Sequence, residues 1–423
     1  MTEIKLPARL TLAALVLGLA LGWMMSESGA AGALRAVAGP VGTLWLRGLQ
    51  MTIVPLVASL LVAGIVRMVA AASAGAMARR TLALFICVWT FSAVVGAVGM
   101  PTLLASFPIP GRELADLSLA DATAQSVPGL GAFFESLVAS NVIAAASETA
   151  MLPLVVFFVA FALAITRLHE EHRDTLVRLF EALGQAMLVI IGWVLRIAPI
   201  GVFALALGVG LGSGGAAFAA LGHYIVLVSS LGLVVLLAAY LLGIVVGRHG
   251  VSSYFRAMLP PDAVALSTQS SLASLPAMLQ SCRLLGVRDA TAGFVLPLAV
   301  AVFRATGPAM NLGVAIYVAA LVGVELTPAT IAAGAAVAML TTVGSVSLPS
   351  SVSFITSVGP IALAMGVPIE PLGILIAVEM LPDMMRTVGN VTMDVAVTAT
   401  VDRHTDSSAR PSIPDATAPP AAR

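Results

Sequence analysis

The stretch "EMLPDMMRTVGNVTMD" (Glu379 to Asp394) concentrates Glu379, Asp383, Arg386 and Asp394 in a chain of which only 10% is charged. A guanidinium is a planar fork that fits a carboxylate through two parallel hydrogen bonds, and an ionised aspartate suits an ammonium group. On a helix advancing about 100° per residue, Glu379, Asp383, Arg386, Asn390 and Asp394 share a stripe roughly 80° wide, with Met, Leu and Val opposite. Such a stripe is either a solvated edge or a polar track through apolar surroundings. Within it, Arg386 also reads as an internal ion-pair partner of Glu379 or Asp383, holding the helix in place.

The elements that must carry this stripe are apolar throughout. Hydrophobic residues make up 59% of 423 positions, against about 45–50% apolar and 25% charged in soluble chains. A bilayer favours such a composition, so the chain reads as a polytopic membrane protein with little soluble domain. Twenty-one basic residues balance twenty-one acidic ones, which gives no reason to invoke nucleic acid. Cys87 and Cys282 sit in or beside apolar runs and read as small packing residues rather than a disulfide or metal pair. The five histidines show no metal-ligand spacing, and His223 reads as a satisfied helix residue. The basic-then-apolar N-terminus is expected to be a first spanning helix rather than a signal peptide.

Apolar segments fall near residues 10–25, 43–66, 82–105, 142–166, 185–210 and 220–246. Each approaches or exceeds the roughly 20 residues that cross hydrocarbon. Basic residues mark alternate loops: Lys5 and Arg9, then Arg67, Arg79 and Arg80, then Arg167, Arg173 and Arg178, then Arg248 and Arg256. The intervening loops are acidic (Glu113, Asp116, Asp121, Glu135) or uncharged. This asymmetry places the N-terminus in the cytoplasm.

After residue 250, serine clusters interrupt the apolar runs at Leu266–Leu279 and Val343–Phe354, each containing Ser-Leu-Pro. Both are expected to be tips of re-entrant hairpins, because irregular backbone at membrane depth must be buried in protein or line a cavity. Two such breaks in corresponding places suggest an internal repeat around a transporter's substrate site. Two turns outside the membrane are the plainer alternative.

The sequence resembles the dicarboxylate/amino acid:cation symporter family, the glutamate transporter homologues. The resemblance runs over roughly residues 5–403, through "LRGLQMTIVPLVASLLVAGIV", "MLPLVVFFVAFALAI" and "WVLRIAPIGVFALAL", and is most specific in "DMMRTVGNVTMD". It implies an all-α fold of eight transmembrane helices plus two re-entrant helical hairpins, assembled as a homotrimer. Residues 1–250 would hold helices one to six, mainly scaffold, with helices three and six joining the moving part. Residues 251–402 would form the transport core, and 403–423 a disordered cytoplasmic tail. Both termini would be cytoplasmic in a multi-pass protein of the cell's inner membrane. By the same resemblance Asp383 holds a substrate amino group and Arg386 its side-chain carboxylate. Thr387 and Asn390 help bind the substrate, Asn390 at the α-carboxylate. Ser270 and Ser271 touch that carboxylate from the first hairpin, Ser345 of the second hairpin joins the substrate-binding residues, and that hairpin, Gly344 to Pro349, acts as gate. The acid at Asp383 favours an acidic amino acid over a C4-dicarboxylate.

The pattern breaks where the family's seventh helix carries the sodium-site motif N-M-D-G-T. Counted without gaps, this chain places Phe303-Arg304-Ala305-Thr306-Gly307 there; a second placement, which needs a gap, puts Asn311 on the asparagine and still finds no aspartate. Two of the oxygen ligands that sodium needs are missing on either placement. An arginine within a membrane helix costs about 2.5–3.5 kcal/mol on insertion scales and requires a partner. In one reading Arg304 fills the cation space and pairs with Asp394 or a carbonyl, so that coupling weakens, disappears or shifts to protons carried by Glu379 or Asp394. In the other, Arg304 reaches towards the cytoplasm and Asp394 remains a candidate sodium ligand, with Asn390 beside it. Gln269, Leu272, Ser347, Ser350, Ser351, Gly389 and Met393 also depart from the pattern, and Pro382 is expected to kink or unwind the last helix.

The sequence therefore reads as a secondary active transporter for a small carboxylate-bearing metabolite, with no cofactor and with sodium or a proton as coupling ion. A C4-dicarboxylate:proton symporter and an anion-conducting channel-like carrier are the alternatives. A membrane enzyme has no support in any Ser-His pair, metal cluster or phosphate-binding loop.

Overall fold

Apolar segments in hydrocarbon must satisfy their own backbone polar groups, and a helix does so within one segment. The computed structural model describes residues 8–73, 75–110, 135, 137–213, 216–344 and 350–406, and every regular element among them is helical. The first half comprises α1 (Ala8–Met25), α2 (Ala31–Gln50), α3 (Ile53–Ala72), α4 (Ala76–Ser106), α5 (Val142–Ser147), α6 (Met151–Ile165), α7 (Glu170–Arg196), α8 (Ala198–Ser213) and α9 (Ala216–Leu241). The second half comprises α10 (Val251–Thr268), α11 (Ser271–Leu284), α12 (Asp289–Val302), α13 (Gly307–Val322), α14 (Pro328–Gly344), α15 (Ser350–Ala364), α16 (Leu372–Leu375) and α17 (Met380–Asp406).

Five stretches among the described residues are long and apolar enough to cross a membrane: Ala31–Ala72, Ala76–Ser106, Glu170–Arg196, Ala216–Val246 and Asp289–Val322. Leu17, Leu44, Val226, Leu237 and Leu241 point outwards, as side chains facing lipid do. The expected spans lie on these helices with three corrections. The second divides at Met51–Thr52 between α2 and α3, the fourth divides into α5 and α6, and the fifth divides at Ile197 between α7 and α8. Pro199 stands in the first turn of α8, where a missing N–H costs nothing and the preceding backbone is turned out of the helix.

Small residues set the closest crossings, the usual means by which helices approach without a water-driven force. A Cβ on Gly22 would lie 2.5 Å from the Leu207 carbonyl oxygen, and one on Gly210 would lie 2.5 Å from that of Leu19, so α1 and α8 touch backbone to backbone. The buried charged groups sit elsewhere, on and just before α17, which packs against α9, α10, α11 and α12, while α13 packs on α4.

The first serine cluster is a tight connection between two packed helices. α10 ends at Thr268, Gln269 turns the chain at φ 52°, and the Ser270 hydroxyl caps α11 by accepting from Ala273 N at 3.2 Å. The helices flanking the second cluster, α14 and α15, also pack together; residues 345–349, including Ser345 and Ser347, lie outside the described residues. Two further breaks concern the site. Phe303–Thr306 interrupts the run from α12 to α13. α17 begins only at Met380, so Glu379 belongs to the turn before it and Pro382 occupies its first turn, where proline is tolerated. Pro382 therefore marks a start rather than a kink. The helix continues to Asp406, past the expected end of ordered chain at 402; residues 407–423 lie outside the described residues.

Candidate substrate site

The charged stripe is buried, not solvated. Glu379 is 0% exposed, Arg386 5% and Asp383 6%. Asp383 N donates to the Glu379 carbonyl at 2.9 Å, which winds the helix start and brings both carboxylates to one guanidinium. Arg386 Nη1 lies 2.6 Å from Glu379 Oε1 and donates to Asp383 Oδ1 at 2.9 Å. The 2.6 Å contact is an ion pair without hydrogen-bond alignment, so Glu379 Oε1 accepts no hydrogen bond, and its partner oxygen Oε2 accepts from the Tyr224 hydroxyl at 2.8 Å. The opposite edge of the guanidinium, Nε and Nη2, is buried with no hydrogen-bond partner among the described residues. That edge is a ready-made fork for one more carboxylate.

The break at Phe303–Thr306 docks onto the next turn of α17. Thr306 donates its backbone N–H and its hydroxyl to Asn390 Oδ1, both at 2.9 Å, and the hydroxyl also reaches the Arg386 carbonyl at 3.1 Å. A Cβ on Gly389 would fall 2.5 Å from Thr306 Cγ2, so the absence of a side chain there permits this approach. The backbone donor fixes the orientation of the Asn390 amide. Its oxygen is engaged, and its buried Nδ2 has no hydrogen-bond partner among the described residues. Asn390 therefore offers a donor, which suits an anion, rather than an oxygen for a cation. Thr387 spends its hydroxyl on the Asp383 carbonyl at 2.9 Å.

Asp394 is fully buried, and neither of its carboxylate oxygens accepts a hydrogen bond from the described residues. Arg304 is partly buried and lies within electrostatic reach of Asp394, Asp383 and Arg386. Phe303 points away from these groups and stacks on Phe85 with centroids 4.0 Å apart, while Ala305 is buried and apolar. The Phe303 and Ala305 side chains thus offer no oxygen to a cation, and the Arg304 charge acts on Asp394.

Ser270 and Ser271 lie at the start of α11, Ser271 buried. Their turn reaches α17 through Gln269 Nε2, 3.4 Å from the Met380 carbonyl. Tyr224, Tyr317, Thr306 and Asp262 escape a reading of the sequence. Tyr317 packs edge-on against Tyr224 and its hydroxyl lies 3.2 Å from His223 Nδ1. Asp262 accepts from Tyr240 at 3.0 Å and Thr392 at 2.9 Å, tying α9 and α10 to α17. The available signal was chemical: a tyrosine inside an apolar helix must find a partner for its hydroxyl.

These buried charges lie in the interior of a many-helix protein, held by side chains of α17, the turn before it, α9 and the α12–α13 break. The model of the sodium:dicarboxylate symporter family matches residues 8–404, and the chain belongs to that family, whose members are transporters and not enzymes. It is 28% identical over 361 residues to the proton/glutamate-aspartate symporter of Escherichia coli, covering 83% of this chain and 82% of the relative. It is 25% identical over 329 residues to the C4-dicarboxylate transport protein of Laribacter hongkongensis, covering 74% and 70%. Over 453 residues it is 28% identical to the human neutral amino acid transporter B(0), covering 94% and 80%.

Proposed function

We propose that this chain is a secondary active carrier of a small carboxylate-bearing metabolite, most favourably an acidic amino acid such as aspartate or glutamate. One observation carries the reading: the buried, unfilled Nε–Nη2 edge of Arg386 beside Asp383. A substrate side-chain carboxylate takes that edge, Asp383 receives the ammonium group, and Asn390 Nδ2 donates to the α-carboxylate. Ser270, Ser271 and Thr387 close the site from the α10–α11 turn and α17, and the segment containing Ser345 forms the gate. α10–α11 and α14–α15 are the two re-entrant hairpins of a protein with eight spans. Residues 251–402 move with α4 and α9 against a scaffold made of the remaining helices of 1–250, in an elevator motion within a homotrimer. The protein lies in the cell's inner membrane with both termini cytoplasmic. The name of the Escherichia coli relative supports the substrate class.

For coupling, we favour Arg304 as a resident cation facing Asp394. Phe303 in the aromatic stack and the engaged Asn390 oxygen support this over a bound sodium ion. A second reading, a C4-dicarboxylate carrier, draws on the pairing of Asp383 with Arg386, which leaves the aspartate satisfied without an ammonium group. Thermal-shift titration with aspartate, glutamate and succinate, with and without sodium, separates these readings, because stabilisation tracks binding to the native state. Stabilisation by aspartate, lost in Asp383→Asn and indifferent to sodium, is the expected result. Stabilisation by succinate alone establishes the second reading, and a strict sodium requirement refutes the role given to Arg304.

A further inference from the structure

Resting on the carrier reading, we propose that Glu379 carries the coupled proton: a substrate carboxylate that takes over Arg386 deprives Glu379 of its counter-charge, and Glu379 then binds a proton that travels with the substrate. The geometry makes the two events inseparable. One guanidinium serves two buried carboxylates, and both of its bound contacts leave from Nη1. A third carboxylate on the opposite edge draws Arg386 towards itself. Of the two contacts, the one to Glu379 lacks hydrogen-bond alignment, whereas Asp383 accepts a formed bond, so Glu379 is the carboxylate released.

Among the described residues, the groups facing Glu379 include Arg386 as the one cation. From its own segment these are Arg386 and Asp383; from α9 it is Tyr224, backed by Tyr317 of α13. The α10–α11 turn contributes Gln269, which is neutral and bonded to the Met380 carbonyl. Arg304 acts on Asp383, Asp394 and Arg386. A carboxylate with no counter-charge in such surroundings is more readily neutralised than kept ionised.

Protonation also suits the local hydrogen bonds. Tyr224 donates to the ionised Oε2, and a hydroxyl can instead accept from a protonated carboxyl by rotating about its C–O bond. The proton comes from bulk water on the side where substrate enters and adds to one carboxylate oxygen. No other bond is made or broken. On release, substrate leaves Arg386, the guanidinium returns to Glu379, and the proton departs on the opposite side. Asp394 does not fit this role, because the charge it faces, Arg304, stands on a neighbouring segment that substrate does not contest.

The test is direct. Purified protein in weakly buffered detergent is titrated with L-aspartate, or with succinate if only succinate stabilises it, and proton uptake is followed with a pH-indicator dye. Wild type is expected to take up about one proton per substrate bound, and Glu379→Gln none, while still showing substrate-induced thermal stabilisation. In liposomes the variant should retain substrate exchange and lose acceleration by an imposed pH gradient. Tyr224→Phe gives a second readout should Glu379→Gln fold poorly. Losing a donor to the ionised form, it should move the pH midpoint of uptake upwards. Undiminished proton uptake in Glu379→Gln, or a Tyr224→Phe profile superimposable on wild type, overturns the proposal. Stabilisation of wild type without proton uptake overturns it while leaving the carrier reading intact. Stabilisation by none of aspartate, glutamate or succinate overturns the carrier reading instead.

Discussion

Replacing Arg386 with methionine tests whether the stripe is held together by charge. The guanidinium is 5% exposed and stands between carboxylates at 2.6 and 2.9 Å, one of them on a residue with no exposed surface. Methionine fills similar volume but leaves Glu379 and Asp383 buried without a counter-charge. Breaking a buried pair in this way costs about 3–5 kcal/mol, mostly because the abandoned charge has lost its solvation. The loss is therefore not a property of Arg386 alone. Removing one abandoned charge as well, in the Glu379→Gln/Arg386→Met double variant, should recover about 1–3 kcal/mol, the coupling expected of residues in one network.

The measurement is unfolding of the detergent-solubilised protein near neutral pH, followed by the fluorescence of its four tryptophans. Three variants suffice: Arg386→Met, Glu379→Gln and the double. The double variant should be more stable than Arg386→Met, although it carries one more substitution. Simple addition of the two single effects would refute the shared ion pair. An Arg386→Met loss under about 1 kcal/mol would refute burial of the charges themselves, since that is the range of exposed pairs.

Three further outcomes follow from other parts of the molecule. Phe303→Ala removes a buried ring stacked on Phe85 at 4.0 Å and tilted against Trp89 at 5.8 Å; unfolding measurements should show a loss of about 3–5 kcal/mol, and an unchanged midpoint would deny that the stack anchors the α12–α13 break. Gln269→Gly relieves a left-handed backbone at φ 52° and should stabilise by up to about 1 kcal/mol; a clear destabilisation would mean that its 3.4 Å contact to Met380 holds the turn on α17. Burial, and after it the charge of Arg403, holds the His249 imidazole in the loop before α10 below its ordinary value. Protonation then favours the unfolded chain, so the His249 contribution is complete above about pH 6.5 and is lost as pH falls. His249→Gln should flatten the decline in thermal stability between about pH 7 and 5, and an unaltered decline would refute the assignment.

What the sequence made legible was whatever depends on composition and local pattern. The apolar runs placed most spans, the serine cluster at Leu266–Leu279 located the α10–α11 turn, and the spacing of Glu379, Asp383 and Arg386 put them on one side of the chain. The shift of Glu379 into the turn before α17 did not disturb that grouping, because its carbonyl accepts the first bond of the helix. What stayed hidden depends on contacts between residues distant in sequence. Tyr224 meets Glu379 across 155 positions and Thr306 meets Asn390 across 84, and neither tyrosine nor threonine marks its helix as functional. Phe303 shows the same division. The resemblance implies a cation ligand at its position, but nothing in the sequence told that its ring stacks on Phe85 of α4. That ring anchors the α12–α13 break, so Phe303→Asn would weaken the break before it could offer an oxygen to a cation.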